Sequence, residues 1–374
     1  MDKLCFDVLD CIFNKLDFLS RIRFRQINKF NYKNLIMIDF HKLENRKYIK
    51  LLTNDIINNY PMVKYLTISG SKISDVSNLK NLIFLNCGRI RIDEKKIKNL
   101  ETLIIKNNPY IKNINHMKNL KRLVCINNCQ ITDDEIKNLD LMQLEVRDNK
   151  KIKNISHMKK LIYLDCSGTS LISDEDIKTL NLIALKVDNN IKIKNIDHMK
   201  NLKFLSCRGN SSIADENIKQ LNLYQLETCD NHLIRNISHM KNLKILYCSG
   251  KSNISDDTIK HLDLIELIAD DNPLIKNISH LKNLKILSCD GISGIDDSNI
   301  KGLDLIHLNA SNNKKIKNIS HLKNLKILDC SGNCGISDDD IKYLNLTDLD
   351  SSGNKKIKNI NHMSNLKNFK IVNL

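Results

Sequence analysis

An isoleucine recurs at Ile111, Ile152, Ile193, Ile234, Ile275, Ile316 and Ile357, each 41 residues after the last. It sits in a phrase that reads KIKNISHM at 151–158 and KIKNISH at 315–321. A cysteine keeps the same step at Cys125, Cys166, Cys207, Cys248, Cys289 and Cys330, and so does a histidine at His116, His157, His198, His239, His280, His321 and His362. Residues recur in one register over such a distance when each period repeats one piece of structure. The chain therefore reads as a stack of supersecondary units that grows by addition, and its 374 residues do not call for two or three separate cores.

Each period divides into halves. One reads NLKRLVCINNCQITDDEIKNL (119–139) and the other LMQLEVRDNKKIKNISHMK (141–159). Both follow L-x-x-L-x-[C/V]-x-x-N-x-x-I. This template resembles the leucine-rich repeat, which implies an α/β fold: a leucine-rich-repeat solenoid of about 16 short repeats of 20–21 residues, with a parallel sheet on its concave face. The second leucine of the template predicts strands at Leu66, Leu85, Leu103, Leu123, Leu144, Leu164, Leu185, Leu205, Leu226, Leu246, Leu267, Leu287, Leu308, Leu328 and Leu349, with Phe369 in the same place last. Alternation along a strand sends Leu123 and Cys125 inward and Val124 and Ile126 outward. The Asn of the template is expected to cap the bend with its side chain. Thr169, Lys251 and Ile292 replace it, which predicts three weaker rungs. In the return stretch ISDDDIKYL (336–344), Ser337 is an N-cap and acids fill the first turn, so a short helix is expected on every second unit. The other return, as in IKNINHMKNL (111–120), lacks a cap and predicts a tight turn.

Before Pro61 the repeat is absent. LCFDVLDCIFNKLDFLSRIRFRQINKFNY (4–32) has apolar residues at helical spacing, which predicts two or three short helices. This stretch resembles the F-box, a helical module that docks onto the Skp-type adaptor of cullin ubiquitin ligases. The matching positions are Leu4, Val8, Leu9, Ile12, Phe13 and Leu16, followed by Ile22 and Ile27 in the second half. Cys5 stands where the family has proline, and Phe30 near its usual tryptophan. The organisation expected is an F-box-like helical domain over 1–40, a helical connection over 41–60 and the repeat domain over 61–374. The resemblance implies the substrate-recognition subunit of a ubiquitin ligase. The alternative is a non-enzymatic scaffold or inhibitor whose N-terminal helices only cap the hydrophobic edge of the solenoid.

Several classes are disfavoured. No run of about 18 apolar residues is present, and the N-terminus does not read as a secretory signal, so an intracellular protein, cytoplasmic or nuclear, is expected. Its cysteines then stay reduced. Histidines two repeats apart stand about 10 Å from one another, too far to share a zinc ion. The same spacing forbids disulfides between successive ladder cysteines. No phosphate-binding loop or nucleophile elbow occurs, so neither a cofactor nor an enzymatic activity is expected.

The variable strand positions carry the candidate target-binding surface. Between the second leucine and the inward Cys or Val stand Glu145, Asp165, Lys186, Glu227, Tyr247, Ile268, Asp329 and Asp350. Two residues further on stand Arg147, Asp188, Arg208, Asp270 and Asp290. Acids outnumber bases here in a chain whose net charge is +16, so an acidic concave face is set against a lysine-rich exterior. Such a face suits a target protein with a basic segment and repels the phosphates of nucleic acid.

Overall fold

The computed structural model describes residues 20, 21, 23, 39, 40 and 49–370. The F-box-like positions Leu4, Val8, Leu9, Ile12, Phe13, Leu16, Ile22 and Ile27 lie outside them. The chain forms two compact units, Met1–Ile172 and Ser173–Leu374.

In the first unit, strands β1 (Asp39–Phe40), β2 (Tyr65–Thr67), β3 (Phe84–Asn86), β4 (Thr102–Ile104), β5 (Arg122–Val124), β6 (Gln143–Glu145) and β7 (Tyr163–Asp165) pair in chain order, all parallel. The second unit continues the pattern with β8 (Ala184–Lys186), β9 (Phe204–Ser206), β10 (Gln225–Glu227), β11 (Ile245–Tyr247), β12 (Glu266–Ile268), β13 (Ile286–Ser288), β14 (His307–Asn309), β15 (Ile327–Asp329), β16 (Asp348–Asp350) and β17 (Asn368–Lys370). These too are parallel and pair in order. Every leucine expected at a strand is the middle, buried residue of one of β2–β16, and Phe369 is the middle of β17. Leucine faces leucine from strand to strand, as Leu226 does Leu246. Three-residue strands cannot stand alone, so each is stabilised by the apolar surface its neighbours bury. β1 was not anticipated by the template; its Phe40 pairs with Leu66.

The return segments alternate as expected. After α1 (Asn54–Asn58) come α2 (Asp133–Ile136), α3 (Asp174–Ile177), α4 (Asp215–Ile218), α5 (Asp256–Ile259), α6 (Asp297–Ile300) and α7 (Asp338–Ile341), one on every second turn. Single-turn helices lack the length to form by themselves, and three contacts hold them. The cap residue and the third helical residue bond reciprocally, as when the Ser337 hydroxyl donates to Asp340 at 2.6 Å. At Ala214 only half of this survives, its amide donating to Asn217. The first helical aspartate reaches into the next turn: Asp256 Oδ1 accepts from the amides of Lys276 and Asn277 at 2.7 and 2.9 Å. Finally, at α2–α6 the recurrent histidine donates its Nε2 hydrogen to the last helical carbonyl, as His280 does to Ile259 at 3.0 Å. The histidine column thus caps helices from the adjacent turn.

The bends differ from expectation. Asn108, Asn149, Asn190, Asn231, Asn272, Asn313 and Asn354 are buried on alternate turns. Asn272 donates to the Cys248 and Ile254 carbonyls at 2.8 and 3.3 Å and accepts from the Leu274 amide. On the turns between, the chain has one residue more, and the buried polar position moves one place along, to Ser170, Ser211, Ser252 and Ser293, with Cys129 and Cys334 as its cysteine versions. Thr169, Lys251 and Ile292 are therefore exposed, and their amides donate to Asp148, Asp230 and Asp271 at 2.9–3.0 Å; the Thr169 hydroxyl adds a second bond to Asp148 at 3.2 Å. The reason for expecting three weaker rungs there falls away, because the buried polar side chain of those turns stands one place further on, at Ser170, Ser252 and Ser293.

Those same aspartates have left-handed backbones, with φ +54 at Asp148 and +59 at Asp230. The rung after each carries a glycine, also left-handed, such as Gly168 and Gly250. A Cβ at Gly250 would lie 2.2 Å from Asp230 Oδ1. The carboxylate reaches the next amide across a residue without a side chain, so from Asp148 to Gly332 the column alternates between Asp or Asn and Gly; Asn107 and Asn127 precede Asp148 without a glycine between, and Gly353 follows Gly332.

Candidate functional site

On the open face of the sheet, most residues either side of each buried leucine are partly exposed, whereas Val124, Asp165, Ser206, Glu227 and Ser288 are buried. In the first unit, the predicted acids Glu145 and Asp165 are tied down. Arg122 reaches Glu145 at 2.7 Å, and Arg147 reaches Asp165 at 3.0 Å. Burial, with Asp165 and Glu145 beside it, pushes the Tyr163 phenol up to about 12.

The second unit begins in the same way. Arg208 pairs with Glu227 at 2.5 Å and sits 5.9 Å from the centre of the Tyr247 ring. The Ser206 hydroxyl lies 2.6 Å from Asp188 and 3.1 Å from Glu227. Lys186 stands over Phe204 at 5.2 Å. Tyr247 donates to Glu266 at 2.7 Å, and burial together with that bond pushes its phenol up to about 12.

From β12 to β16 the balance changes. Asp270 accepts from the Ser288 hydroxyl at 2.5 Å and from the Asp290 amide. Asp329 accepts from the Ser311 hydroxyl at 2.6 Å and the Ser331 amide. Burial, then the neighbouring Asp270 charge, raises the Asp290 carboxyl above the usual range. Among the described residues, Glu266, Asp270, Asp290, Asp329 and Asp348 form no ion pair with Lys or Arg, whereas Asp350 takes Lys370 at 2.8 Å. Hydroxyls and amides orient these carboxylates without neutralising them. Ile268 lies partly exposed among them. A shallow hollow of about 280 Å³ over β15–β17 is lined by Ile327, Asp329, Asp348, Asp350, Phe369 and Lys370, among others.

The two columns read from the sequence miss an apolar stripe beside the acids. Ile183, Tyr224, Ile265 and Ile306, immediately before the strands, are 39–47% exposed. The carbonyl of each accepts from the amide of an apolar residue on the next strand, Phe204, Ile245, Ile286 and Ile327 respectively. On the turns between, this place holds Lys203, Lys244, Lys285 and Lys326. Lys244 and Lys285 are drawn aside by Asp263 and Asp304 at 2.6 and 2.7 Å. The signal was available: the four exposed residues keep the 41-residue step that marks the core.

The ladder cysteines are free thiols, and burial raises those of Cys207, Cys248 and Cys289. No group of three or more His, Cys, Asp or Glu among the described residues could hold a metal ion. No helix among them is long and apolar enough to cross a membrane.

Parallel three-residue strands, buried leucines and a ladder of asparagines at the bends define a leucine-rich-repeat fold. No protein-family model matches the chain, and no curated protein matches it. Solved structures do. A TLR13–ssRNA13 complex aligns with a TM-score of 0.53 and 18% identity, over 83% of this chain and 60% of that one. An internalin from Listeria monocytogenes aligns over 100% and 96% of the two chains with 18% identity and a TM-score of 0.36. The yeast Rad7–Elc1 complex aligns over 92% and 93%, with 18% identity and a TM-score of 0.47. At these identities the likeness concerns the fold.

Proposed function

We propose that this chain is a protein-binding repeat scaffold whose sheet face holds a target with a basic segment, and that residues 1–40 tether it to a Skp-type adaptor. The observation that carries the first part is the row of oriented, unpaired carboxylates on β12–β16. A lysine or arginine arriving there replaces no existing ion pair and finds acceptors already in place. The second part rests on the F-box-like order of Leu4, Val8, Leu9, Ile12, Phe13 and Leu16 immediately ahead of the repeats. In that role the chain performs no chemistry; it presents a target to a ubiquitin-transferring partner inside the cell.

Two measurements test the two parts separately. Co-purification of the full chain with a Skp-type adaptor should be lost on Ile12→Glu with Phe13→Glu; capture that survives the substitution removes the tether and leaves the scaffold. For the face, reversal at Asp270 and Asp329 to Lys should weaken a basic peptide by about tenfold or more. Single-stranded RNA, the ligand named with TLR13, should not bind at low salt. Binding that declines steeply as salt rises would replace the protein reading with a nucleic-acid one.

A further inference from the structure

We infer that the open face of the second unit is a track for one polypeptide in the polyproline II conformation, with an apolar residue at every third position and basic residues between. The inference rests on the reading of this face as a protein-binding surface and adds the conformation and spacing of what it takes.

Four apolar pairs line the face: Ile183 with Phe204, Tyr224 with Ile245, Ile265 with Ile286, and Ile306 with Ile327. Partly exposed apolar pairs that recur at a fixed interval along one face mark a contact surface. Its pairs recur every second strand, about 9.6 Å apart at ordinary strand spacing. A polyproline II helix has three residues per turn and returns the same face every ~9.3 Å. An α-helix comes back to one face after seven residues, about 10.5 Å, and rotates roughly 20° each time. From Ile183 to Ile306 it accumulates about 3 Å of mismatch. A β-strand turns every third residue to the opposite side. The polyproline II chain alone keeps step with both the distance and the facing.

Charge gives the residues between. The unpaired acids flank the stripe on β12–β16, and on the turns between its apolar residues Lys244 and Lys285 are held by Asp263 and Asp304. Basic groups at the intervening positions meet carboxylates and no free cation from those lysines.

The test uses the full chain and a fluorescein-labelled repeating Leu-Pro-Lys peptide, read by fluorescence anisotropy. A peptide of the same composition with its leucines clustered at one end is the control, and a helical peptide with leucines at heptad spacing is the competitor. The repeating peptide should bind about tenfold tighter than the clustered one. Ile265→Ser with Ile306→Ser, at half-exposed positions, should remove that advantage without changing the circular dichroism. No binding, equal binding of the two peptides, or tighter binding of the helical one overturns the inference. If the two peptides bind equally and Asp270→Lys with Asp329→Lys abolishes both, the spacing fails and the binding face stands. If neither pair of substitutions matters, the binding face fails as well.

Discussion

At the scale of single residues, positions that look alike in sequence have opposite tolerances. Asn272 bridges two carbonyls and an amide inside the coil. Asn272→Ala strands these groups and should cost about 2–4 kcal/mol by thermal or urea unfolding. Ile292→Thr or Lys251→Ala, at the place the sequence template assigned to asparagine, should change stability by less than about 0.5 kcal/mol. Gly250→Ala meets both a left-handed backbone and the Asp230 carboxylate. It should destabilise by more than about 1 kcal/mol, and Asp230→Gly in the same chain should recover part of that loss. Asp290 gives a pH signature. Its carboxyl is raised in the folded chain, so charging it opposes folding at neutral pH, and that penalty disappears as pH falls below the unfolded carboxylate range. Asp290→Asn should therefore raise the melting temperature at pH 7, and the gain should vanish in acid. A constant gain across pH would mean that packing, not charge, is responsible.

At the scale of elements, the leucine at each strand was legible because burial and strand periodicity act on one residue at one spacing. So was the helix on alternate turns, which Ser337 and the acids after it announce. The bends were not, because the extra residue in every second turn shifts the buried position by one, and Asn128 and Asn149 then look equivalent when they are not. Nor could the first helical aspartate be read as a clamp, since its partners are backbone amides some 20 residues on. Asp256→Ala should lower stability by about 1–2 kcal/mol and speed hydrogen exchange at Lys276 and Asn277, while Asp256→Asn, which keeps an acceptor, should do little. The candidate face was half legible: its acids stand out by charge, whereas the apolar stripe hides among residues that a hydrophobic template assigns to the core.

At the scale of the whole molecule, the structural unit is two turns. Buried Asn alternates with buried Ser or Cys, helix with turn, and, from Asp148 to Gly332, left-handed Asp or Asn with left-handed Gly, all on the 41-residue step. Deleting one full period from within the second unit should leave a shorter chain that still melts cooperatively. Deleting only 20 residues there sets like bends against like and should lower the melting temperature far more. Equal behaviour of the two deletions, measured by circular dichroism, would make the single turn the unit.

The alternation of carboxylate and glycine also limits how such a chain can be inherited. Repetitive genes gain and lose segments by misaligned recombination, and every length is offered. Between Asp148 and Gly332, a copy cut at a single turn would bring two side chains into the space of one, which opposes folding. Exchanges that respect the longer interval keep the alternation, and the even spelling of the phrase around Ile152 and Ile316 agrees with copying in that unit.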